Sequence, residues 1–277
     1  PKEDGVAFSH DDGDQEHSGI FCQLLNPIDR EKAESMCCDD DFCAQEKHDG
    51  ERRPVQHSNE VIKGINRKGA YVELSKRVAE ALGSNTSFIV DGEDMGHELV
   101  LFDLIEFNGR NLSSQSYELR LQQLNNLTLG DGVKVVHTAF STKDKLLMFN
   151  DMEKKGREGI VFKRLDAEYR SGRPSSGGDQ LKFKFYETCS VVVSSLNEKR
   201  RSVAVHGYDN NKEVPLGNVT IPANKNVPVE GSIIEVRYLY AYPKGSLYQP
   251  FYLALRTDLD KESCSILHLK YKSEGAA

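Results

Sequence analysis

The chain has 277 residues, 38% of them hydrophobic, with 36 Lys or Arg, 43 Asp or Glu and six cysteines. That length suits one large domain or two ordinary ones. No apolar run approaches the roughly 18 residues of a membrane span, and the cysteines are too few and irregular for a disulfide scaffold. The net charge of −7 divides unevenly: residues 1–46 hold three Lys or Arg against thirteen Asp or Glu, and the remainder nets +3. The acidity therefore belongs to the N-terminal segment, and the weakly basic body admits a polyanionic partner.

Residues 1–20 are acidic and poor in large apolar groups, so a mobile segment is expected there, with no readable signal peptide. Asp29 is placed to cap a short helix over 29–37, with Ala33 and Met36 facing inward. Cys37, Cys38 and Cys43 cluster, but no matching Cys or His pair follows at zinc spacing. The cysteines read as reduced thiols in a cytoplasmic protein. Next comes Glu46-Lys47-His48-Asp49-Gly50-Glu51-Arg52, at the end of a strand-like run.

Val61–Gly69 reads as a strand closing in a glycine turn that holds out Arg67 and Lys68, and Leu74, Val78, Ala81 and Leu82 are spaced for a helix ended by Gly83. Ser87–Val90 and Glu98–Leu104 read as a hairpin joined through a turn at Asp91-Gly92-Glu93. Helices are expected at 116–127 and at 143–155, the latter with Leu146, Leu147 and Met152 on its apolar side. Val133–Val136, Gly159–Lys163 and Leu181–Phe185 read as strands. This mixture predicts an α+β domain over 21–188. From Cys189 the helix signal fades. Five short strand-like runs (191–195, 202–206, 217–221, 232–240 and 251–255) suit a small β-barrel over 189–277.

A lysine amine attacks phosphorus only when deprotonated, so a lysine before a sharp turn is more often a solvated surface residue than a nucleophile. Glu93 and Glu158 stand at strand ends, where ordinary solvation explains either alone; together they are oxygen donors suited to Mg²⁺. Lys182 and Lys184 alternate with Phe183 and Phe185, so both amines share one face and both rings the other. The glycine-rich phosphate loops, the H-E-x-x-H and G-x-S-x-G motifs and the kinase catalytic loop are all missing.

The order of these pieces is more specific than any one of them. Lys47–Arg52, Arg67 in its turn, Asp91-Gly92-Glu93, Phe102-Asp103-Leu104, Glu158–Lys163 and Leu181–Lys184 resemble the ordered motifs of the covalent nucleotidyltransferases, which include ATP-dependent DNA ligases, RNA ligases and mRNA capping enzymes. The barrel segment after the last lysine motif, and Pro250-Phe251 leading to Arg256-Thr257-Asp258, are similar to the minimal ATP-dependent DNA ligases. One departure is Leu259, which stands where that ending usually carries lysine; Lys261 follows two residues later.

The resemblance implies an ATP-grasp-like adenylyltransferase (nucleotidyltransferase) domain followed by an OB-fold barrel. It implies Lys47 as the nucleophile that takes AMP from ATP, and Lys182 with Lys184 at the transferring phosphate. Gln45 and Glu46 would lie near the base, Phe102 would stack on it, and Arg52 with Glu93 would hold the ribose and 5′-phosphate. Arg67 would meet the nick phosphate, Lys163 and Arg256 would complete the nucleotide contacts, and Glu93 and Glu158 would serve Mg²⁺, or Mn²⁺ in its place. The implied partner is nicked double-stranded DNA, acted on by a monomer without a membrane, in a bacterial or viral type of setting. An RNA ligase or a capping guanylyltransferase is the alternative within the superfamily, and a non-catalytic nucleic-acid module is the alternative outside it.

Overall fold

The computed structural model describes residues 16–58, 61–83, 86–197 and 199–272. Strands outweigh helices among these residues, which include four α-helices: α1 (Arg30–Cys37), α2 (Lys76–Ala81), α3 (Tyr117–Asn125) and α4 (Thr142–Lys154). Each helix starts where the sequence supplies an oxygen to its free N–H groups: Asp29, Ser75, Ser116 and Ser141 all accept from a backbone N–H of the first turn. None is long and apolar enough to cross a membrane.

The chain divides into two compact units. The first comprises the residues up to Asn26, Asp49–His137 and Lys163–Gln180; the second comprises Pro27–His48, Thr138–Phe162 and the chain from Leu181. This division runs differently from the sequence boundary near 188, because residues 27–48 and 138–162 fall with the C-terminal barrel.

The first unit is built on an eight-stranded sheet. Its main path runs Val133–Val135, Leu99–Phe107, Phe88–Asp94, Val55–Ser58, Val61–Ile65, Tyr71–Val72, with Glu51–Arg52 and Arg110–Asn111 paired at its sides. Residues 1–15 lie outside the described residues, but Glu16–Ser18 already run along this sheet: His17 bridges Ala70 and Ser18 N–H donates to Gly69 O. The predicted turn at Asp91-Gly92-Glu93 is a correction. These residues lie inside the Phe88–Asp94 strand, and the positive-φ turn glycine is Gly96. Gly92 is there because the neighbouring strand leaves no room for a side chain: a Cβ would lie 2.8 Å from Val100 O.

The second unit holds a five-stranded sheet, ordered Asn26–Pro27, Gln180–Lys184, Gly159–Arg164, Phe42–Lys47, Thr138–Ala139. Ala33, Met36, Phe42, Phe149, Ile160, Phe162, Phe183 and Phe185 form its core. The apolar side expected for α4 is wrong in part. Leu146 and Leu147 are exposed, and Lys145, Met148 and Phe149 face inward. Lys145 tolerates burial because its Nζ donates to Asp39 O at 2.5 Å and Phe42 O at 2.9 Å, while its stem fills apolar space.

The same unit carries a closed barrel of Glu187–Leu196, Ser202–Asp209, Lys212–Thr220, Ile233–Tyr238 and Phe251–Arg256. In order along the chain these strands pair 1-2-3-5-4, closing back on the first, with the third and fifth parallel and the other pairs antiparallel. Val191, Val193, Val205, Ile234 and Val236 alternate into its core.

Candidate active site

In the second unit the Phe42–Lys47 strand ends at Lys47, whose Nζ donates to Glu158 Oε2 at 2.6 Å. Lys184, from the neighbouring Gln180–Lys184 strand, reaches the other oxygen of the same carboxylate, also at 2.6 Å. The Glu158 side chain is 3% exposed and those of Lys47 and Lys184 are 19% and 12% exposed, so the three charges are largely withdrawn from water. Two cations on one carboxylate give this cluster a net positive charge.

Gly159 makes this approach geometrically available. A Cβ there would lie 1.9 Å from Phe183 O and 3.0 Å from Lys184 Cα, so only glycine lets the strand that begins just after Glu158 come this close to the strand carrying Lys184. Gln45, two residues before Lys47, is 2% exposed and its amide donates to Thr138 Oγ1 at 2.9 Å. Glu46 faces Arg157 Nε at 3.4 Å. Lys182 shares the Lys184 face of its strand, both half-buried while Phe183 is buried.

The first unit holds a second set. Arg52 grips Asp91 with a planar fork, Nε to Oδ1 at 2.7 Å and Nη2 to Oδ2 at 2.6 Å. The Tyr169 hydroxyl donates to Asp91 Oδ2 at 2.8 Å and accepts from Gln23 N–H at 3.0 Å. Burial, with the Asp91 charge next, pushes the Tyr169 phenol well above its ordinary range. Burial alone would pull the Arg52 guanidinium down, but the Asp91 carboxylate outweighs it and the guanidinium is held firmly protonated.

Phe102 is the aromatic centre of this set. Arg52 Cζ and Lys163 Nζ each stand 4.5 Å from its ring centroid, and Lys163 also donates to Phe102 O at 3.0 Å. Glu93 is half-buried on the same strand as Asp91, backbone-paired with Arg52. Arg67 is exposed in its turn. Thus Arg52, Phe102 and Lys163 come together in one unit, and Lys47, Glu158 and Lys184 in the other. Glu93 and Glu158, expected to share a metal, belong to different units.

Arg256, at the end of the last barrel strand, forks onto Asp258 at 2.9 and 2.8 Å and also meets Glu235 at 3.2 Å. Its hydrogen bond holds the Asp258 carboxyl down at about 2.

Sequence reasoning passed over Asp91 and Tyr169, and over the Asp103–Arg120 pair, in which a guanidinium with no exposed surface forks onto a 1%-exposed carboxylate. The available signal was a carboxylate inside each of two apolar strand runs, since a fully buried Asp demands a cationic partner.

Residues 94–184 match the family model described as the ATP dependent DNA ligase domain. No curated protein matches the sequence. Among solved structures, the chain is similar to one described as "DNA binding with a minimal scaffold: Structure-function analysis of Lig E DNA ligases", at 17% identity and TM-score 0.66, over 86% of this chain and 99% of that one. It is similar also to "Pmar-Lig_PreS3", at 17% identity and TM-score 0.65, over 85% of this chain and 67% of that one. A mycobacterial DNA ligase D complexed with ATP and MES aligns at 20% identity over 80% of this chain and 91% of its own, with a TM-score of 0.48 too low to argue from. At these identities the first two likenesses establish the fold, and within it residues 94–184 are similar to the ATP dependent DNA ligase domain.

Among the described residues no group of three or more His, Cys, Asp or Glu is gathered to hold an ion. Mg²⁺ at phosphates is usually held by one or two carboxylates, with phosphate oxygens and water completing the shell. Glu158 therefore fits an ion arriving with a nucleotide and does not fit a resident ion in a protein cage.

Proposed function

We propose that this chain is an ATP-dependent DNA ligase that seals 5′-phosphate/3′-hydroxyl nicks in duplex DNA by way of an AMP carried on Lys47. The observation that carries the reading is Lys47 at a strand end, sharing the buried Glu158 carboxylate with Lys184. A surface lysine needs no buried counter-charge and no second lysine, whereas a group that must meet a polyphosphate is served by both.

In the first step the Lys47 Nζ lone pair attacks the α-phosphorus of ATP. A phosphorus–nitrogen bond forms, the bond to the β-phosphate oxygen breaks, pyrophosphate leaves with that electron pair, and the amine sheds a proton. Lys47 presently donates to Glu158 as an ammonium, so it first loses a proton to solvent and gives up that contact before the lone pair can point at phosphorus. Lys184 keeps its hold on Glu158 and, with Lys182, supplies fixed positive charge for the oxygens of the transferring phosphate. A 5′-phosphate oxygen of the nick then takes AMP from Lys47, whose nitrogen recovers a proton. The 3′-hydroxyl attacks that activated phosphate, forms the phosphodiester and releases AMP.

In the same reading Gln45, Glu46, Arg52, Glu93, Phe102, Lys163 and Arg256 serve the nucleotide, and Arg67 meets the nick phosphate. Mg²⁺, delivered with ATP and met by Glu158, would neutralise phosphate charge. The five-strand barrel is read as an OB-fold, supported by its 1-2-3-5-4 closure with parallel third and fifth strands.

The test is incubation with ATP labelled at the α-phosphate. The unmutated protein should gain an acid-labile radiolabel and Lys47→Ala should gain none; label retained by Lys47→Ala sinks the assignment. Sealing of matched nicked DNA and RNA duplexes, with GTP and NAD as competing cofactors, separates this reading from an RNA ligase or capping enzyme.

A further inference from the structure

The lysine–glutamate–lysine cluster has a neighbour supplied by the barrel. Lys184 Nζ donates not only to Glu158 but also to the side-chain carbonyl of Gln249, at 2.9 Å, just before the last barrel strand begins at Phe251. Gln249 sits at φ 53°, in the left-handed region that an L residue occupies at a cost and glycine occupies freely. A glutamine at such a position is explained by its side chain, since its backbone is served better by glycine or asparagine.

The surroundings fix that side chain's root. Arg237 Cζ stands 4.4 Å from the Tyr186 ring centroid and 5.1 Å from that of Phe251, so a guanidinium links the first residue of the strand after Gln249 to the residue two beyond Lys184. Tyr186 is itself part of the neighbourhood: Lys184 Nζ lies 6.0 Å from its ring centroid. Burial, first, raises its phenol; Arg237 opposes that, Glu158 adds to it and Lys47 opposes it.

We infer that Gln249 is a positioning residue for nucleotide transfer: its neutral carbonyl aims Lys184 without adding a second counter-charge to the Glu158 carboxylate that Lys184 already shares with Lys47. A carboxylate in the same place would aim the amine equally well but bring the cluster, now two lysines on one carboxylate, to neutrality. This inference rests on the lysyl-AMP reading above.

The experiment measures single-turnover formation of the protein–AMP adduct against ATP concentration, using the full chain and its Gln249→Gly and Gln249→Asn variants. Both substitutions suit a positive φ, so neither strains the backbone. Loss of one hydrogen bond in Gln249→Gly should slow the maximal rate about three- to tenfold, with the half-saturating ATP concentration unchanged. Gln249→Asn, which keeps the carboxamide, should recover part of that rate. A Gly variant as fast as the unmutated protein overturns the inference, as does a Gly and Asn pair slowed equally with weakened ATP saturation. Failure of the unmutated protein to form any adduct overturns the underlying reading and this inference with it, and is distinguishable from the other outcomes.

Discussion

Replacing Glu158 with glutamine tests the charge arrangement on which the candidate site depends. Glu158 accepts one hydrogen bond from each of two ammonium groups, both at 2.6 Å, through a side chain only 3% exposed. Hydrogen bonds to charged groups are worth about 1.5–3 kcal/mol each, against about 0.5–1.5 for neutral ones. Glu158→Gln retains one carbonyl acceptor and turns its NH₂ towards the other lysine, so one contact keeps its ammonium donor but loses the ion pairing, and the other is lost. Removing a buried charge returns some desolvation free energy. The balance is a loss of about 2–3 kcal/mol, taken between the gross hydrogen-bond figure and that offset. Urea unfolding of the full chain followed by circular dichroism should show the midpoint falling accordingly at unchanged slope. In the Glu158→Gln background, a further Lys184→Met change should cost less than it does alone, because the Glu158 contact is already gone and the Gln249 contact remains to be lost. A midpoint within about 0.5 kcal/mol of the unmutated protein would refute the reasoning, since surface ion pairs behave that way and buried ones do not.

Other perturbations probe the rest of the structure. Asp91→Ala should destabilise the chain by about 3–5 kcal/mol, because it strands the Arg52 fork and the Tyr169 hydroxyl in a buried setting; hydrogen exchange of the Phe88–Asp94 strand should report it first. Asp258 should titrate near 2 by carboxyl ¹³C resonance, against an ordinary 3.8, and Arg256→Met should return it towards that value. Because its folded value is depressed, the Arg256–Asp258 contact is fully present above about 3.8 and disappears as pH falls through about 2. Burial raises the Cys22, Cys37 and Cys264 thiols to about 11 and Cys189 to about 12, so iodoacetamide at pH 8 should label the exposed Cys38 first by peptide mass. Rapid labelling of Cys189 in the native protein would contradict its placement in the barrel.

Much of this molecule follows from local sequence. The caps at Asp29, Ser75, Ser116 and Ser141 are oxygen-bearing residues one position before each helix, which backbone hydrogen bonding demands wherever the helix ends up. The alternation of Lys182 and Lys184 with Phe183 and Phe185 puts amines and rings on opposite faces in any strand, and the five barrel strands are readable as separate apolar runs. The order of the motifs from Lys47 to Lys184 was enough to point to the family whose model matches 94–184.

Pairing across long sequence separations was not readable. Asp91 looked like a turn residue because Asp-Gly is turn chemistry, and only the approach of Val100 shows why a glycine lies inside a strand there. Leu146 and Leu147 looked like a core face of α4, yet the carbonyls of Asp39 and Phe42 turn Lys145 inward instead, and the helix rotates with it.

The sequence by itself determined which residues could act: a lysine before a turn, a glutamate before a glycine, two lysines on one strand face. The tertiary structure alone decided that Lys47 and Lys184 hold the two oxygens of one buried carboxylate, and that Gln249 reaches Lys184 from the barrel. The physical reason is that local propensity fixes which way a side chain points from its own backbone, whereas shared counter-charges arise only where Gly159 lets two strands meet without a Cβ between them.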